Sequence, residues 1–292
     1  MRSALLVQLL SGHLWFTAAI LVVILIALDL GGALRDRPVA RVAARLSFLL
    51  AIGLGALSGT PLPWWLLGPL LAALGGVILT GFRPARGRGA FLSGLAASIL
   101  VLASVAVEIP WHRDPRPSSR PASVVVIGDS LSSGGFGESR PWPARLQDHA
   151  ALPVRNLALP GETTGSALTY QMSEIEGSAS GSLLLLQIGG NDLLGETGVD
   201  EFERSLDRLL EESKESGFST ILLFELPLPP GAWRWGAVQR RLARKHGIGV
   251  IPKHVLAGIL ANPSMVDDGL HLRDAGHEAL AADLARILGW KG

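Results

Sequence analysis

Residues 14–34 are an almost unbroken apolar run, long enough at ~1.5 Å per residue to cross a hydrocarbon core of ~30 Å. No wet face interrupts the run, which excludes an ordinary surface helix of a soluble domain. Residues 62–80 and 90–107 repeat the pattern, and 46–60 give a shorter, glycine-rich version of it. The sequence therefore predicts an α-helical transmembrane domain of about four spans within residues 1–110. A cleaved signal peptide does not fit the first run, which is too long and is followed by an arginine loop and further spans.

The loops orient these spans. Arg35, Arg37, Arg41 and Arg45 fall between the first two runs, and Arg83, Arg86 and Arg88 between the last two. The link at 58–63 carries no charge. Lys and Arg concentrate in cytoplasmic loops. Both arginine loops are thus expected inside, and everything after Trp111 outside, in the periplasm of a bacterial multi-pass inner-membrane protein. Trp15, Trp64, Trp65 and Trp111 then fall near the outer interface, where indoles are favoured. His13, Asp29 and Glu108 lie near span ends and are read as interfacial.

A proline-rich polar linker, "WHRDPRPSSRP" at 111–121, ends the apolar part. Up to Pro121 there are eleven Lys/Arg against four Asp/Glu; after it, fifteen against twenty-one, giving the net +1 of the whole chain. The basic residues sit in short loops and not on one face, so no nucleic-acid partner is expected. The chain has no cysteine, which excludes disulfides, thiolate metal sites and a cysteine nucleophile. Its seven histidines show no ligand spacing with carboxylates, and neither a metal nor a cofactor is expected.

Residues 122–292 read as a second domain of α/β class. Short apolar runs at 123–127, 154–159, 183–188, 220–226 and 250–251 alternate with helical stretches. The clearest of these, 199–216, carries Phe202, Leu206, Leu209 and Leu210 on one stripe. Strands of Val, Ile and Leu without polar alternation predict a parallel sheet covered on both faces by helices, a three-layer arrangement. In such sheets the ligand crevice lies at the carboxyl ends of the strands.

Those ends carry the chemistry. "VVVIGDSLSSGG" delivers Gly128, Asp129 and Ser130 to the end of the first strand, with Gly134, Gly135 and Gly137 beyond. "LPGETT" puts Gly161 after the second, "LQIGGND" puts Asn191 and Asp192 after the third, and "VDDGLHL" puts Asp268 and His271 in a late loop. The glycines match neither a P-loop nor a dinucleotide fingerprint and are read as a flexible wall of an open site. Together these blocks resemble, in content and order, the SGNH hydrolases, also called the GDSL esterase/lipase family, over Val124 to about Leu288. "WPARL", "GGND" and "DDGLH" look most like its bacterial periplasmic thioesterase/lysophospholipase branch; Leu272 stands where many relatives have proline.

The resemblance implies a three-layer, flavodoxin-like SGNH hydrolase fold and a cofactor-free serine esterase acting through an acyl-enzyme. Ser130 is then the nucleophile, His271 the base and Asp268 its orienting carboxylate, with Asp267 a lesser candidate for the last role. Ser130 and Gly161, through backbone N–H groups, and Asn191, through its amide, form the expected oxyanion hole. Asp274 and His277 repeat the D-x-x-H spacing, but Asp274 is read as the N-cap of the last helix. Asp129 and Asp192 are expected to hold turns. "PLPPGAWRWG", with Trp233 and Trp235, and "LAGILANPSM" are read as apolar loops near the rim. The expected substrate is an acyl ester, lipid or lipid-linked. An acyltransferase delivering the same acyl group to an envelope glycan or lipid stays open, as does a non-catalytic membrane scaffold.

Overall fold

The computed structural model describes residues 2–34, 36–82, 87–117, 119–134, 140–175 and 180–290. Arg35, Arg83, Arg86, Gly135 and Gly137 lie outside the described residues. The chain divides into two units: Gln8–His112 with Leu228–Trp233, and Met1–Val7 with Arg113–Pro227 and Arg234–Gly292. A short helix α1 (Arg2–Leu10), not anticipated from the sequence, opens the chain.

The helical unit contains α2 (His13–Leu30), α3 (Pro38–Leu57), α4 (Trp64–Thr80) and α5 (Arg88–Glu108). Each helix buries one narrow stripe. On α5 it is Ala90, Gly94, Ala97, Val101, Ser104 and Glu108; on α3 it is Ala44, Phe48, Ala51 and Gly55. Steps of three and four along a helix keep such residues on one side, and small ones let helix backbones approach. The outer faces are apolar as well: Ile20, Leu92, Ile99 and Leu102 are more than half exposed. A helix apolar all round requires an apolar surrounding.

Among the described residues, three helices are long and apolar enough to cross a membrane: His13–Leu30, Pro38–Leu57 and Arg88–His112. That corrects the expected four and shifts the weak member. The glycine-rich run at 46–60 belongs to a full helix of 20 residues, because Pro38 starts it early with its fixed φ at the first turn. Arg41 and Arg45 consequently sit on α3 and not in a loop. The shorter helix is α4, of 17 residues, confined between Pro63 and the extended backbone of Gly81.

The second unit is a five-stranded, wholly parallel sheet of order β2-β1-β3-β4-β5. Its elements are β1 (Val124–Gly128), α6 (Ser130–Ser133), α7 (Trp142–Ala150), β2 (Val154–Asn156), α8 (Thr164–Tyr170), β3 (Leu183–Gln187) and α9 (Gly190–Leu194). There follow α10 (Val199–Glu215), β4 (Thr220–Phe224), α11 (Trp233–His246), β5 (Gly249–Ile251), α12 (Lys253–Leu260) and α13 (Asp274–Ile287). Val124, Val126, Leu183 and Leu185 share one core with Trp142, Leu146, Leu280 and Leu284 of α7 and α13. Alternate strand residues point to opposite faces, and Val125, Ile127, Leu184 and Leu186 are buried too. Their side is covered by the other helix layer, in which Phe202 of α10 lies 4.7 Å from Trp235 of α11.

Two details depart from the sequence reading. The edge strand β2 spans only Val154–Asn156 and is largely exposed, although Leu157 N–H still donates to Val126 C=O. Trp233 and Trp235 open a helix and do not sit on a loop, and the first half of "LAGILANPSM" likewise belongs to α12.

Candidate active site

The end of β1 is built around close approach. A Cβ on Gly128 would stand 2.8 Å from Ser132 Oγ and 3.0 Å from the Gln187 carbonyl, so only glycine fits between β3 and the first turn of α6. Its N–H donates to Gln171 Oε1, and its C=O accepts from Gln171 Nε2, both at 2.9 Å. Asp129 then caps α6 by accepting from Leu131 N–H at 3.0 Å. Burial pushes its carboxyl up to about 6. Ser130 follows as the first residue of α6.

The late loop brings an imidazole to it. Ser130 Oγ lies 3.2 Å from His271 Nε2, across 141 residues of sequence. His271 Nδ1 lies 2.7 Å from Asp268 Oδ2. The other carboxylate oxygen accepts from the N–H groups of Leu270 at 2.9 Å and His271 at 2.8 Å. These three bonds hold the Asp268 carboxyl well below the usual carboxylate range. The loop is pinned by Asp267 N–H donating to His271 C=O, and the Asp267 carboxylate pairs with Arg273 at 3.0 Å, away from the imidazole.

The loops after β2 and β3 are tied to each other. Asn191 Nδ2 donates to the Glu162 carbonyl at 2.8 Å, beside Gly161. Asp192 accepts from both the N–H and the hydroxyl of Thr164, each at 2.8 Å. Burial raises the Asp192 carboxyl despite these bonds. Gly189 precedes this helix with φ +106°, and a Cβ there would meet the Phe202 ring at 3.0 Å. Ser130, Gly161 and Asn191 thus stand at the ends of the adjacent strands β1, β2 and β3.

The repeated D-x-x-H pair does something else. His277 is buried, and its Nδ1 accepts from the Trp142 N–H at 3.2 Å. Burial, followed by the nearby Arg145, pushes its imidazole down to about 4, so it is neutral in the folded protein. Asp274 is the first residue of α13 and not its N-cap; its carboxylate accepts from Arg145.

Several groups that shape the site were not read from the sequence. Ser132 Oγ donates to Gln187 Oε1 at 2.6 Å and accepts from the Trp142 indole at 3.1 Å. Asn156 Nδ2 donates to the Ser132 carbonyl. A glutamine closing the apolar run "LLLLQ" was the available signal for Gln187; Gln171 carried none.

An alcohol, an imidazole and a carboxylate joined in line, at the carboxyl end of a parallel sheet in a three-layer α/β domain, define the class of acyl hydrolases. Residues 126–279 match the GDSL-like Lipase/Acylhydrolase family, and the chain belongs to that family. It is an ester-hydrolysing enzyme. The Thioesterase 1/protease 1/lysophospholipase L1 of Escherichia coli K12 is 26% identical over 157 residues, 51% of this chain and 74% of that protein. The psychrotrophic esterase EstA from Pseudoalteromonas shares the fold at a TM-score of 0.50 and 20% identity, over 56% of this chain and 94% of EstA. The crystal structure of TesA does so at 0.50 and 23%, over 56% and 97%.

Proposed function

We propose that the chain is a membrane-anchored serine esterase, with Ser130 as nucleophile, His271 as general base and Asp268 as its orienting carboxylate. The observation that carries this reading is the continuous line from Ser130 Oγ through both nitrogens of His271 to Asp268 Oδ2, at 3.2 and 2.7 Å. A serine hydroxyl is a weak nucleophile until a neighbouring base takes its proton. As Ser130 Oγ bonds the acyl carbon, its proton passes to Nε2, and the carbonyl electron pair moves onto oxygen. The N–H groups of Ser130 and Gly161 and the Asn191 amide receive that oxyanion. Collapse breaks the ester bond, Nε2–H protonates the departing alkoxide, and water repeats the cycle on the acyl-enzyme. Asp268 accepts from Nδ1–H throughout and stabilises the imidazolium.

Residues 1–110 are the proposed membrane domain, 111–121 the linker and 122–292 the hydrolase domain, held on the extracytoplasmic side of a bacterial inner membrane. The apolar outer faces of α2–α5 and the arginine distribution support this. The orientation turns on α4: its 17 residues span ~26 Å at ~1.5 Å each, and its crossing decides on which side Arg88 and the hydrolase domain lie. An elaborate helical anchor fits a lipid or lipid-linked acyl ester as substrate.

Two measurements test the reading. A fluorophosphonate probe on membranes should label the wild type and fail on Ser130→Ala and His271→Ala; a label that persists on Ser130→Ala ends the nucleophile assignment. The chain has no cysteine, so a single Ser119→Cys is a clean topological reporter. An impermeant maleimide should reach it from outside intact spheroplasts, and reaction only after lysis overturns the orientation.

A further inference from the structure

β1 outruns the strand beside it. β2 pairs with β1 only as far as Asn156, opposite Val126. Beyond that point Leu157 and Leu159 still donate their N–H groups to the Val126 and Gly128 carbonyls. The Gly128 N–H on the same edge is answered by a side chain: it donates to Gln171 Oε1, while Gln171 Nε2 donates to the Gly128 C=O, both at 2.9 Å. A glutamine amide carries the same donor and acceptor as a peptide, so Gln171 takes the place of one further peptide of β2. On the opposite edge the Asp129 N–H donates to the Gln187 C=O at 3.3 Å. Gly128 and Asp129 are thus gripped from both sides immediately before Ser130.

Gln171 belongs to α8 and not to the sheet. It caps the C-terminus of that helix, its own N–H donating to the Ala167 C=O at 3.0 Å. The other end of α8 is anchored separately. Thr163 and Ser166 close a capping box there, and Thr164 donates its N–H and its hydroxyl to the two carboxylate oxygens of Asp192, each at 2.8 Å. Gly161 lies just before this end, and Asn191 is the residue preceding Asp192. Gln171, Thr164 and Asp192 are all buried. A stiff helix of 7 residues, ~10 Å long at ~1.5 Å each, therefore joins the strand end that carries Ser130 to the loops that carry Gly161 and Asn191. Oxyanion donors act only within about 2.7–3.1 Å of the position the oxyanion takes. Attack by Ser130 fixes that position, so the spacing across α8 bears on the rate.

We propose that Gln171 is a positioning residue of the esterase: with α8 as a strut, it sets the spacing between Ser130 and the donors at Gly161 and Asn191. The inference rests on Ser130 being the nucleophile and on Gly161 and Asn191 serving the oxyanion hole. Gln171 touches neither the substrate nor the reacting atoms, so its loss is felt in turnover and not in substrate binding.

The test uses the full chain in detergent with p-nitrophenyl butyrate, and turnover is counted per chain that a fluorophosphonate labels at completion, so misfolded protein drops out. Gln171→Met removes both bonds at similar volume and should lower kcat by ~10–100-fold with KM within about twofold, in line with the ~100-fold that a 1 Å misplacement can cost. Thr164→Val loosens the opposite end by one bond, keeps the N–H contact to Asp192, and should lower kcat by ~5–10-fold with KM again unchanged. A strut fails only once, so the double variant should fall within about twofold of Gln171→Met alone, well short of the product of the two losses. A kcat for Gln171→Met within about threefold of wild type, a loss confined to KM, or losses that multiply overturn the inference. Should Gln171→Met give no labelled chain, Thr164→Val decides, and a kcat within about twofold of wild type overturns the strut. Labelling of Ser130→Ala as strong as that of wild type means the esterase reading itself has failed. Labelling lost in Ser130→Ala beside normal turnover in Gln171→Met removes the strut alone.

Discussion

Asp268 offers the sharpest separation of chemistry from architecture. One carboxylate oxygen accepts two backbone N–H groups of its own loop; the other accepts Nδ1–H of His271. In Asp268→Asn the amide oxygen can keep the two backbone bonds, so the loop stays formed. The amide NH2 then faces Nδ1 and donates to it, which moves the imidazole proton to Nε2. With a proton already there, Nε2 cannot accept one from Ser130 Oγ 3.2 Å away. A tautomer error of this kind costs ~10⁴ in turnover in a buried triad. Because the Asp268 side chain is more than half exposed, water can partly reorient the ring, and ~10³-fold is expected here. Asp268→Ala leaves Nδ1 free to re-find its tautomer but releases the loop, so its kcat should fall by a similar factor while the thermal midpoint also drops. The assay is p-nitrophenyl butyrate turnover beside thermal unfolding of the full chain in detergent. An Asn variant within tenfold of wild-type kcat refutes the argument.

Asn191→Ala removes one proposed oxyanion donor and should lower kcat by ~100–1,000-fold with KM little changed; a loss below tenfold in steady-state ester kinetics argues against that role. Gly128→Ala forces a Cβ against Ser132 and the Gln187 carbonyl, with an expected destabilisation of ~1–3 kcal/mol read by chemical denaturation; a wild-type midpoint would contradict the close approach. His277, held neutral with a pKa of about 4 against an ordinary 6.5, binds fewer protons folded than unfolded. Its contribution is full above pH 6.5 and is lost as pH falls toward 4, ~3 kcal/mol in all. Asp129, raised to about 6, has the opposite sign: its protonated form favours folding below pH 3.8, and that advantage is lost as pH rises through 6. Asp129→Asn should therefore match wild type at pH 4 and gain stability by pH 7; a gain that is the same at both pH values rejects the burial argument.

The strands β1, β3 and β4 are legible because burial on both faces forces an unbroken Val, Ile and Leu pattern. The loops that follow are legible because Gly128 and Gly189 answer steric demands that no other residue meets. Span boundaries were less so: hydropathy marks where a helix is greasy, whereas Pro38 and Gly81 decide where helix α3 begins and α4 stops. Gln171 escaped notice because it serves backbone atoms 43 residues away, a contact with no local periodicity. Asp274 and His277 mislead for the converse reason: spacing alone does not reveal that one lies at the surface and the other in the core.

The alcohol and the imidazole that face each other are separated by 141 residues of chain. A nascent polypeptide thus displays its serine long before anything can deprotonate it. On the proposed triad, the imidazole comes only with the segment between α12 and α13, just before the final helix. A chain made only as far as α12 would carry the alcohol without its base and should leave esters intact.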